Sequence, residues 1–311
     1  MNGIMLRTAL VAAAALAAGV ALAPLAASGA PHGSDGGWGA ASSVANVNAP
    51  EGDGCPIESP DGQSLFIASM RDGPDNDIWV APRVGIPGSF GTPVLLPEPI
   101  NSDAQDFCPT PLNDGSLLFV SSRAGVDAYG TSACGGGDIY LTTPVRGTDA
   151  WTAPRNLGCA PDGPNTGDWE YGPSLVTTGS TTYLFYSSGG NINVAGSAQQ
   201  DIYASAETGP MTFGPGEPVT ELNTPAHDVM PNVSRDGKEV VFASTRHGGR
   251  GLFDIYTATR HGSANGTSGG WSQPAAVTAV NTIGAETRPS LSGDGHRLYF
   301  GRAGDIFVST R

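Results

Sequence analysis

SPDGQSLFIASMRDGPDNDIWVAPR, residues 59–83, contains an Asp-Gly turn, an apolar run, an arginine, a second glycine-containing loop and an Asp-Ile-aromatic triplet. The same order of residue types returns in SRDGKEVVFASTRHGGRGLFDIYTATR, residues 234–260, and again before the chain ends. Asp-Gly dipeptides favour tight hairpin turns because glycine adopts positive φ without a Cβ clash. The stretch therefore predicts a set of short antiparallel strands that recurs along the chain.

A segment that begins with asparagine brings five copies of this unit into register. In each copy an acid lies five residues after the asparagine and a proline lies eight residues after it. The asparagines are Asn48, Asn101, Asn165, Asn223 and Asn281. The acids, called the ring acids below, are Asp53, Asp106, Glu170, Asp228 and Glu286. Five such matches indicate a true internal repeat.

Each unit carries four short strand signals separated by Gly, Pro, Asn and Asp turn residues. An aromatic residue leads the first signal, and the Asp-Ile-aromatic triplet marks the third. The leading aromatics are Trp38, Phe90, Trp151, Phe213 and Trp271. A four-stranded unit repeated five times predicts an all-β fold, a five-bladed β-propeller over residues 38–311. Because the chain stops at a third signal, DIFVSTR, we expect the N-terminal strand to join the last blade and close the ring.

Residues 1–30 have the pattern of a secretory signal peptide: Arg7, an apolar run from Thr8 to Ala23, and small residues up to Ala30. Residues 31–37 are expected to form a short flexible N-terminus. The sequence thus predicts a secreted, extracytoplasmic protein with no transmembrane anchor in the mature chain. A single lysine, Lys238, beside abundant Arg, Ala and Gly indicates a bacterial genome rich in GC.

The net charge of −14 excludes nucleic acid as a partner, since one polyanion repels another. The segments SPDGQSLF, SRDGKEVVF and SGDGHRLYF, with the DIY and DIF endings, resemble the WD40-like repeats of TolB-type proteins. This resemblance covers nearly all of the mature chain and implies a propeller found in many bacterial secreted or periplasmic proteins. The chain differs from TolB because it lacks the separate N-terminal α/β domain and has five repeats instead of six.

The four cysteines predict two disulfide bonds. Cys55 and Cys108 hold the same position in neighbouring units, so we expect them to be bonded to each other. Cys134 precedes the third strand of the second unit and Cys159 follows the strand paired with it, which predicts the second bond. An exported chain permits both bonds. A zinc site is disfavoured because close pairs such as CxxC are absent from the sequence.

The ring acids allow two interpretations. Clustered carboxylates bind a cation such as calcium, or act as acid and base on a sugar. Alternatively, an arginine at the end of the second strand lies between the ring acid and the Asp of the triplet as a structural clamp, with the asparagine bonded to nearby backbone. Four units carry this arginine: Arg71, Arg123, Arg246 and Arg302. No cofactor other than calcium is expected, and the identity of any metal is open.

The third unit has no basic residue between Glu170 and Asp201. Its acid loop reads DWEYG, and aromatic faces beside unpaired carboxylates suit sugars or a cationic group. The candidate ligand residues are Asp168, Trp169, Glu170, Tyr171 and Asp201. The alternative is that Trp169 packs a loop.

The sequence contains no GxSxG, no HExxH and no glycine loop ending in lysine, so no catalytic residue is predicted. We expect a non-catalytic binding or protein-interaction propeller. Its partner would be an envelope component, a polysaccharide or a protein, recognised through the face that carries the ring-acid loops, called the acidic loop face below. The alternative is a five-bladed glycoside hydrolase that uses carboxylates of the central ring.

Overall fold

The computed structural model describes residues 36–85, 89–260 and 270–311. The predicted signal peptide and most of the predicted flexible segment lie outside these ranges. Within them every regular element is a β-strand, and no helix there is long and apolar enough to cross a bilayer.

Strand β1 (Ser42–Ser43) comes first in the chain. The first blade contains β2 (Asp53–Glu58), β3 (Ser64–Ser69), β4 (Asp77–Pro82) and β5 (Val94–Leu95). The second contains β6 (Asp106–Pro111), β7 (Leu117–Ser121), β8 (Asp138–Thr142) and β9 (Arg155–Asn156). The third contains β10 (Trp169–Thr178), β11 (Thr181–Gly189) and β12 (Gln200–Gly209), with β13 (Thr212–Phe213) and β14 (Glu217–Pro218) both paired to β12. The fourth contains β15 (Asp228–Val233), β16 (Glu239–Ser244), β17 (Asp254–Thr259) and β18 (Ala275–Ala276). The fifth contains β19 (Glu286–Leu291), β20 (Arg297–Arg302) and β21 (Asp305–Thr310).

The innermost strand of each blade begins at or next to its ring acid. These strands contact one another in the cyclic order β2, β6, β10, β15, β19 and back to β2. The five-bladed propeller predicted from the repeat is therefore confirmed. Strands such as β7 are buried along their whole length because both faces of a blade pack against neighbouring blades.

Ring closure also follows the prediction. β1 pairs antiparallel with β21, so that Ser42 lies opposite Val308 and Ser43 opposite Phe307. Trp38 is only 5% exposed and packs in one cluster with Val277 and Phe300. In the first four blades the outermost strand comes from the next repeat in the chain, as β5 does after Phe90. The sequence repeat is thus offset by one strand from the structural blade.

Both predicted disulfide bonds are present. Cys55–Cys108 joins β2 to β6, the innermost strands of the first two blades. Cys134–Cys159 joins the loop before β8 to the segment after β9 within the second blade. The first bond therefore crosses a blade boundary, whereas the second holds one blade at its edge.

Replacing Cys134 and Cys159 together by serine is expected to lower the free energy of unfolding by about 3 kcal/mol. The reason is that the bond closes a loop with a sequence separation of 25 and so restricts the unfolded chain. Urea unfolding without reductant, which leaves Cys55–Cys108 intact, measures the difference. An unchanged midpoint with an unchanged slope would contradict it.

Candidate functional site

The repeated asparagines hold the acid loops to the backbone, as expected. Asn101 accepts a hydrogen bond from the Ile78 amide at 2.8 Å and donates to the Ile78 carbonyl at 3.0 Å. Ile78 is the middle residue of the preceding triplet. Each of the other asparagines bonds both backbone groups of the equivalent isoleucine: Asn48 with Ile306, Asn165 with Ile139, Asn223 with Ile202, and Asn281 with Ile255. Each ring acid thus follows a loop that the asparagine fixes to the preceding blade, and we call these residues the latch asparagines.

Four ring acids are bound by arginine. The pairs are Asp53–Arg71 at 2.5 Å, Asp106–Arg123 at 2.7 Å, Asp228–Arg246 at 2.5 Å and Glu286–Arg302 at 2.8 Å. All four acid side chains are fully buried. The same guanidinium groups donate to the carbonyl that precedes each latch asparagine, as Arg123 does to Ile100. Charge-assisted bonds of this kind make the four acids structural groups.

The prediction that the arginine lies between two carboxylates is wrong. In the described chain these arginines pair with the ring acid, and the aromatic residue of the triplet faces them instead. The guanidinium of Arg246 lies 4.8 Å from the ring centre of Tyr256. The triplet acid turns to its own loop: Asp254 accepts hydrogen bonds from the Arg250 and Gly251 amides. In the second and fourth blades, local backbone amides therefore bind the triplet carboxylate, Asp138 and Asp254, that the sequence assigned to the clamp.

The third blade replaces the clamp with neutral groups. Glu170 accepts hydrogen bonds from the hydroxyls of Thr166 at 2.6 Å and Ser188 at 2.8 Å. The Tyr186 hydroxyl donates to the Pro164 carbonyl at 2.8 Å, the bond that arginine makes in the other blades. Burial without a cation raises the pKa of Glu170 to about 8. Glu170 therefore carries its proton at neutral pH.

A pocket of about 390 Å³ lies at the centre of the acidic loop face, and we call it the upper pocket. Its apolar lining residues include Phe107, Trp169, Tyr171, Ile192 and Met230. Its polar lining residues include Asn76, Gln105, Asn191, Asn193 and Thr287. The described lining contains no Asp or Glu side chain.

The aromatic side of the upper pocket is built by close packing. Trp169 and Tyr171 stack with ring centres 6.0 Å apart and planes 18° apart. The indole lies directly on the backbone of Gly136, where a Cβ would come within 2.1 Å of the Trp169 Nε1. Phe107 of the second blade contacts the Tyr171 ring at 5.6 Å. Glycine at 136 is therefore required for the ring to lie where it does.

Hydrogen bonds fix the amide side chains of the pocket lining. Asn76 donates to the Gln105 side-chain oxygen at 3.0 Å, and Gln105 donates to Asp75 at 3.0 Å. Across the pocket, the Tyr171 hydroxyl donates to the Asn191 side-chain oxygen at 3.2 Å. The amide groups are thus oriented before any ligand binds.

The structure brings together two of the five candidate ligand residues at this pocket, Trp169 and Tyr171. Glu170 is fully buried beneath the surface and Asp168 is exposed outside the pocket lining. Asp201 is half-buried and accepts a hydrogen bond from Gln199, and burial raises its pKa. Of the sequence-predicted candidates, the structure therefore places the two aromatic residues in the lining of the upper pocket and the three carboxylates outside it.

The amides of the upper pocket were missed by sequence reasoning. A signal was available for Gln105, which occupies the position just before a ring acid. This position differs in every unit: Gly52, Gln105, Trp169, His227 and Ala285. In an otherwise regular repeat, this varied position supplies two residues of the upper pocket, Gln105 and Trp169. Asn76 and Asn191 lie in loops of unequal length that the repeat does not align.

Calcium binding has no ready site in the part of the chain that the structure describes. No group of three or more His, Cys, Asp or Glu side chains there is arranged to hold one ion. Calcium stays a prediction for a melting experiment with and without chelator.

Comparison with known proteins finds similarity in solved structures. No family model matches the chain, and no curated protein does so either. An α-L-arabinofuranosidase from Lactobacillus brevis is 12% identical over 86% of this chain and 94% of its own, with a TM-score of 0.54. The α-L-arabinofuranosidase PaAbf62A from Podospora anserina, in complex with cellotriose, is 13% identical over 88% and 96%, with a TM-score of 0.53.

A TolB candidate from Agrobacterium tumefaciens is 18% identical over 81% of this chain and 70% of its own, with a TM-score of 0.44. At such identities the structural similarity establishes the fold alone. The TolB type accordingly stays a resemblance of repeat sequence, and the chain is a five-bladed β-propeller with two disulfide bonds.

Proposed function

We propose that this protein is an extracytoplasmic, non-catalytic binding propeller that holds an uncharged sugar unit of a polysaccharide in the upper pocket. The observation that carries the proposal is the composition of that pocket. It joins a stacked pair of aromatic rings to oriented amide side chains, and its described lining has no carboxylate.

This composition matches the chemistry of a neutral sugar. The C–H face of a pyranose packs on an aromatic ring, and its hydroxyl groups both donate and accept hydrogen bonds. An amide side chain offers a donor and an acceptor together, so Asn76, Asn191 and Asn193 suit hydroxyl groups. A few placed polar groups in a mostly apolar pocket are typical of small-ligand sites.

Charge and compartment support the same class of ligand. The net charge of −14 disfavours anionic polysaccharides relative to uncharged ones, because a negatively charged chain repels a polyanion. Two disulfide bonds suit an oxidising, extracytoplasmic location, where envelope polysaccharide is within reach. The Podospora anserina neighbour carries cellotriose, so a propeller of this fold accommodates an uncharged oligosaccharide.

The glycosidase alternative needs two carboxyl groups on either side of the scissile bond. Four ring acids are engaged by arginine, and Glu170 is buried and protonated. The geometry of the described residues therefore supports binding over hydrolysis.

Replacing Trp169 by alanine is expected to weaken oligosaccharide binding at least about tenfold, because buried aromatic anchors dominate recognition sites. A neutral glycan array identifies the ligand, and calorimetry on the best oligosaccharide measures the loss. Trp151→Ala is the matched control, since Trp151 lies outside the upper pocket. Equal affinities of Trp169→Ala and the wild type for the oligosaccharide would show that the upper pocket is not the binding site.

A further inference from the structure

A second pocket of about 300 Å³ lies on the face opposite the acidic loops, where the Asp-Gly turns lie, and we call it the lower pocket. Its lining includes Thr110, Asn113, Ser174, Asn232 and Arg235. From the geometry described below, we propose that the lower pocket binds an oxyanion: a carboxylate, sulfate or phosphate group.

A buried cation is hydrogen-bonded to one of the residues that line this pocket. Arg288 is fully buried and occupies the position in β19 that Cys55, Cys108, Gly172 and Met230 hold in the other innermost strands. Its guanidinium donates to the Thr110 hydroxyl at 3.1 Å, and Thr110 lines the lower pocket. A Cβ at Gly172 would lie 2.6 Å from the Met230 Cα and 3.1 Å from the Arg288 Nη1, so glycine there allows the close approach of both the β15 backbone and the guanidinium.

The charge of Arg288 has no counter-ion in the described chain. Its other acceptors are the carbonyls of Pro173 at 3.2 Å and Pro231 at 3.4 Å, and its Nε has no partner. Burial lowers the pKa of Arg288 to about 9, which still leaves it positively charged at neutral pH. A buried cation without a counter-ion strengthens the binding of an anion in an adjacent pocket.

A second arginine crosses the mouth of the lower pocket. Arg235, from the turn of the fourth blade, donates to the Asn113 side-chain oxygen at 3.0 Å in the second blade and to the Pro60 carbonyl at 3.3 Å in the first. Both acceptors are neutral, and the described residues give Arg235 no carboxylate partner. Its remaining N–H groups are available to a ligand.

Two buried side chains that line the lower pocket have hydrogen-bond donors that are not engaged by other described residues. Asn232 is 6% exposed; its oxygen accepts from the Leu291 amide at 2.8 Å, and its Nδ2 has no partner among the described residues. Ser174 is 2% exposed and accepts from the Val233 amide at 3.0 Å, which leaves its hydroxyl proton to donate. An oxyanion consists of acceptors, and it is the ligand that satisfies such a set.

The carboxylate in the lining does not oppose this assignment. Glu58 is bound by Arg83 at 2.7 Å, by Arg297 at 3.1 Å and by the Tyr299 hydroxyl at 2.7 Å. Its charge is thus neutralised within the wall of the pocket. The lower pocket is independent of the sugar proposal because it shares no lining residue with the upper pocket.

Sulfate, phosphate and acetate, each titrated against chloride at constant ionic strength, test the proposal on the whole mature chain. We expect a saturable rise in melting temperature with at least one oxyanion, and the ranking of the three identifies the preferred group. Arg235→Ala is expected to raise its Kd by about tenfold, since charge-assisted hydrogen bonds are the strong ones. Arg146→Ala is the control, because Arg146 is exposed and removes the same charge elsewhere.

Asn232→Asp gives a second arm. It keeps the oxygen that accepts from Leu291 and replaces the free donor by a negative acceptor, so it should abolish oxyanion binding. A response no greater than that to chloride would overturn the proposal. Equal Kd values for Arg235→Ala and Arg146→Ala would overturn it too, whether or not Asn232→Asp folds.

Discussion

Glu286→Gln is expected to lower the free energy of unfolding by about 2–4 kcal/mol, because it leaves a largely buried arginine without its carboxylate. Arg302 is 18% exposed and bonds the Glu286 Oε1, which also accepts from Thr282. A glutamine amide has one acceptor oxygen, so it cannot replace the charge or both oxygens of the carboxylate.

Glu170→Gln, the corresponding change in the third blade, is expected to leave the free energy of unfolding unchanged at acidic pH and to raise it above that of the wild type at higher pH. Glu170 is already uncharged at pH 7, and its Oε2 has no hydrogen-bond partner in the described chain. The native carboxyl binds its proton more tightly than the unfolded one, so unfolding releases a proton between pH 4.5 and about 8. The free energy of unfolding of the wild type therefore falls with rising pH in this window, by up to about 1.4 kcal/mol per pH unit.

Denaturant unfolding of the wild type, Glu170→Gln and Glu286→Gln at pH 5, 6.5 and 8 measures both effects. The difference between Glu170→Gln and the wild type isolates the Glu170 proton from other titrating groups. Equal destabilisation by the two variants would show that the third blade holds its acid as the others do.

Trp38→Ala is expected to cost about 3–5 kcal/mol, which is the range for removing a large buried aromatic side chain. Trp38 packs in the apolar cluster between the fourth and fifth blades, and Arg311 at the end of the chain lies 4.2 Å from its ring centre. The loss would loosen β1 from β21 and open the contact that closes the ring.

Chemical denaturation followed by circular dichroism measures this change. Ser42→Ala is the control: Ser42 lies in β1, in the same N-terminal segment as Trp38, and its side chain is exposed, so its effect should stay within about 0.5 kcal/mol. If Trp38→Ala costs no more than Ser42→Ala, the N-terminal segment does not carry the closure.

The parts of the structure that were predictable from sequence are those that repeat. Asn101 and Asp106 recur at one spacing in five units, and this periodicity identified the blades, the latches and the arginine pairs. Cys55 and Cys108 share one position in neighbouring units, which gave the disulfide bond between two blades. Repetition is informative because each blade packs against its neighbours in the same way and therefore needs the same residue types at the same positions.

The parts that were not predictable depend on contacts that occur only once in the molecule. The proton on Glu170 follows from its burial, and Tyr186 takes the carbonyl bond that arginine makes elsewhere. Arg288 packs beside Gly172, more than a hundred residues away in the chain, at a point where a Cβ would crowd both Met230 and the guanidinium. Asn76 and Asn191 reach the upper pocket from loops of irregular length. None of these contacts joins residues at a spacing that recurs along the sequence, so no repeat pattern predicts them.

A direct measurement of the proposed activity combines binding and hydrolysis in one experiment. The mature chain is incubated with neutral oligosaccharides, arabinan and xylan fragments included; bound ligand is measured by calorimetry and released reducing ends are measured over a day. We predict saturable binding of at least one uncharged oligosaccharide with no release above the Trp169→Ala variant. Reducing ends that accumulate with time in the wild type and cease in that variant would show a glycosidase instead.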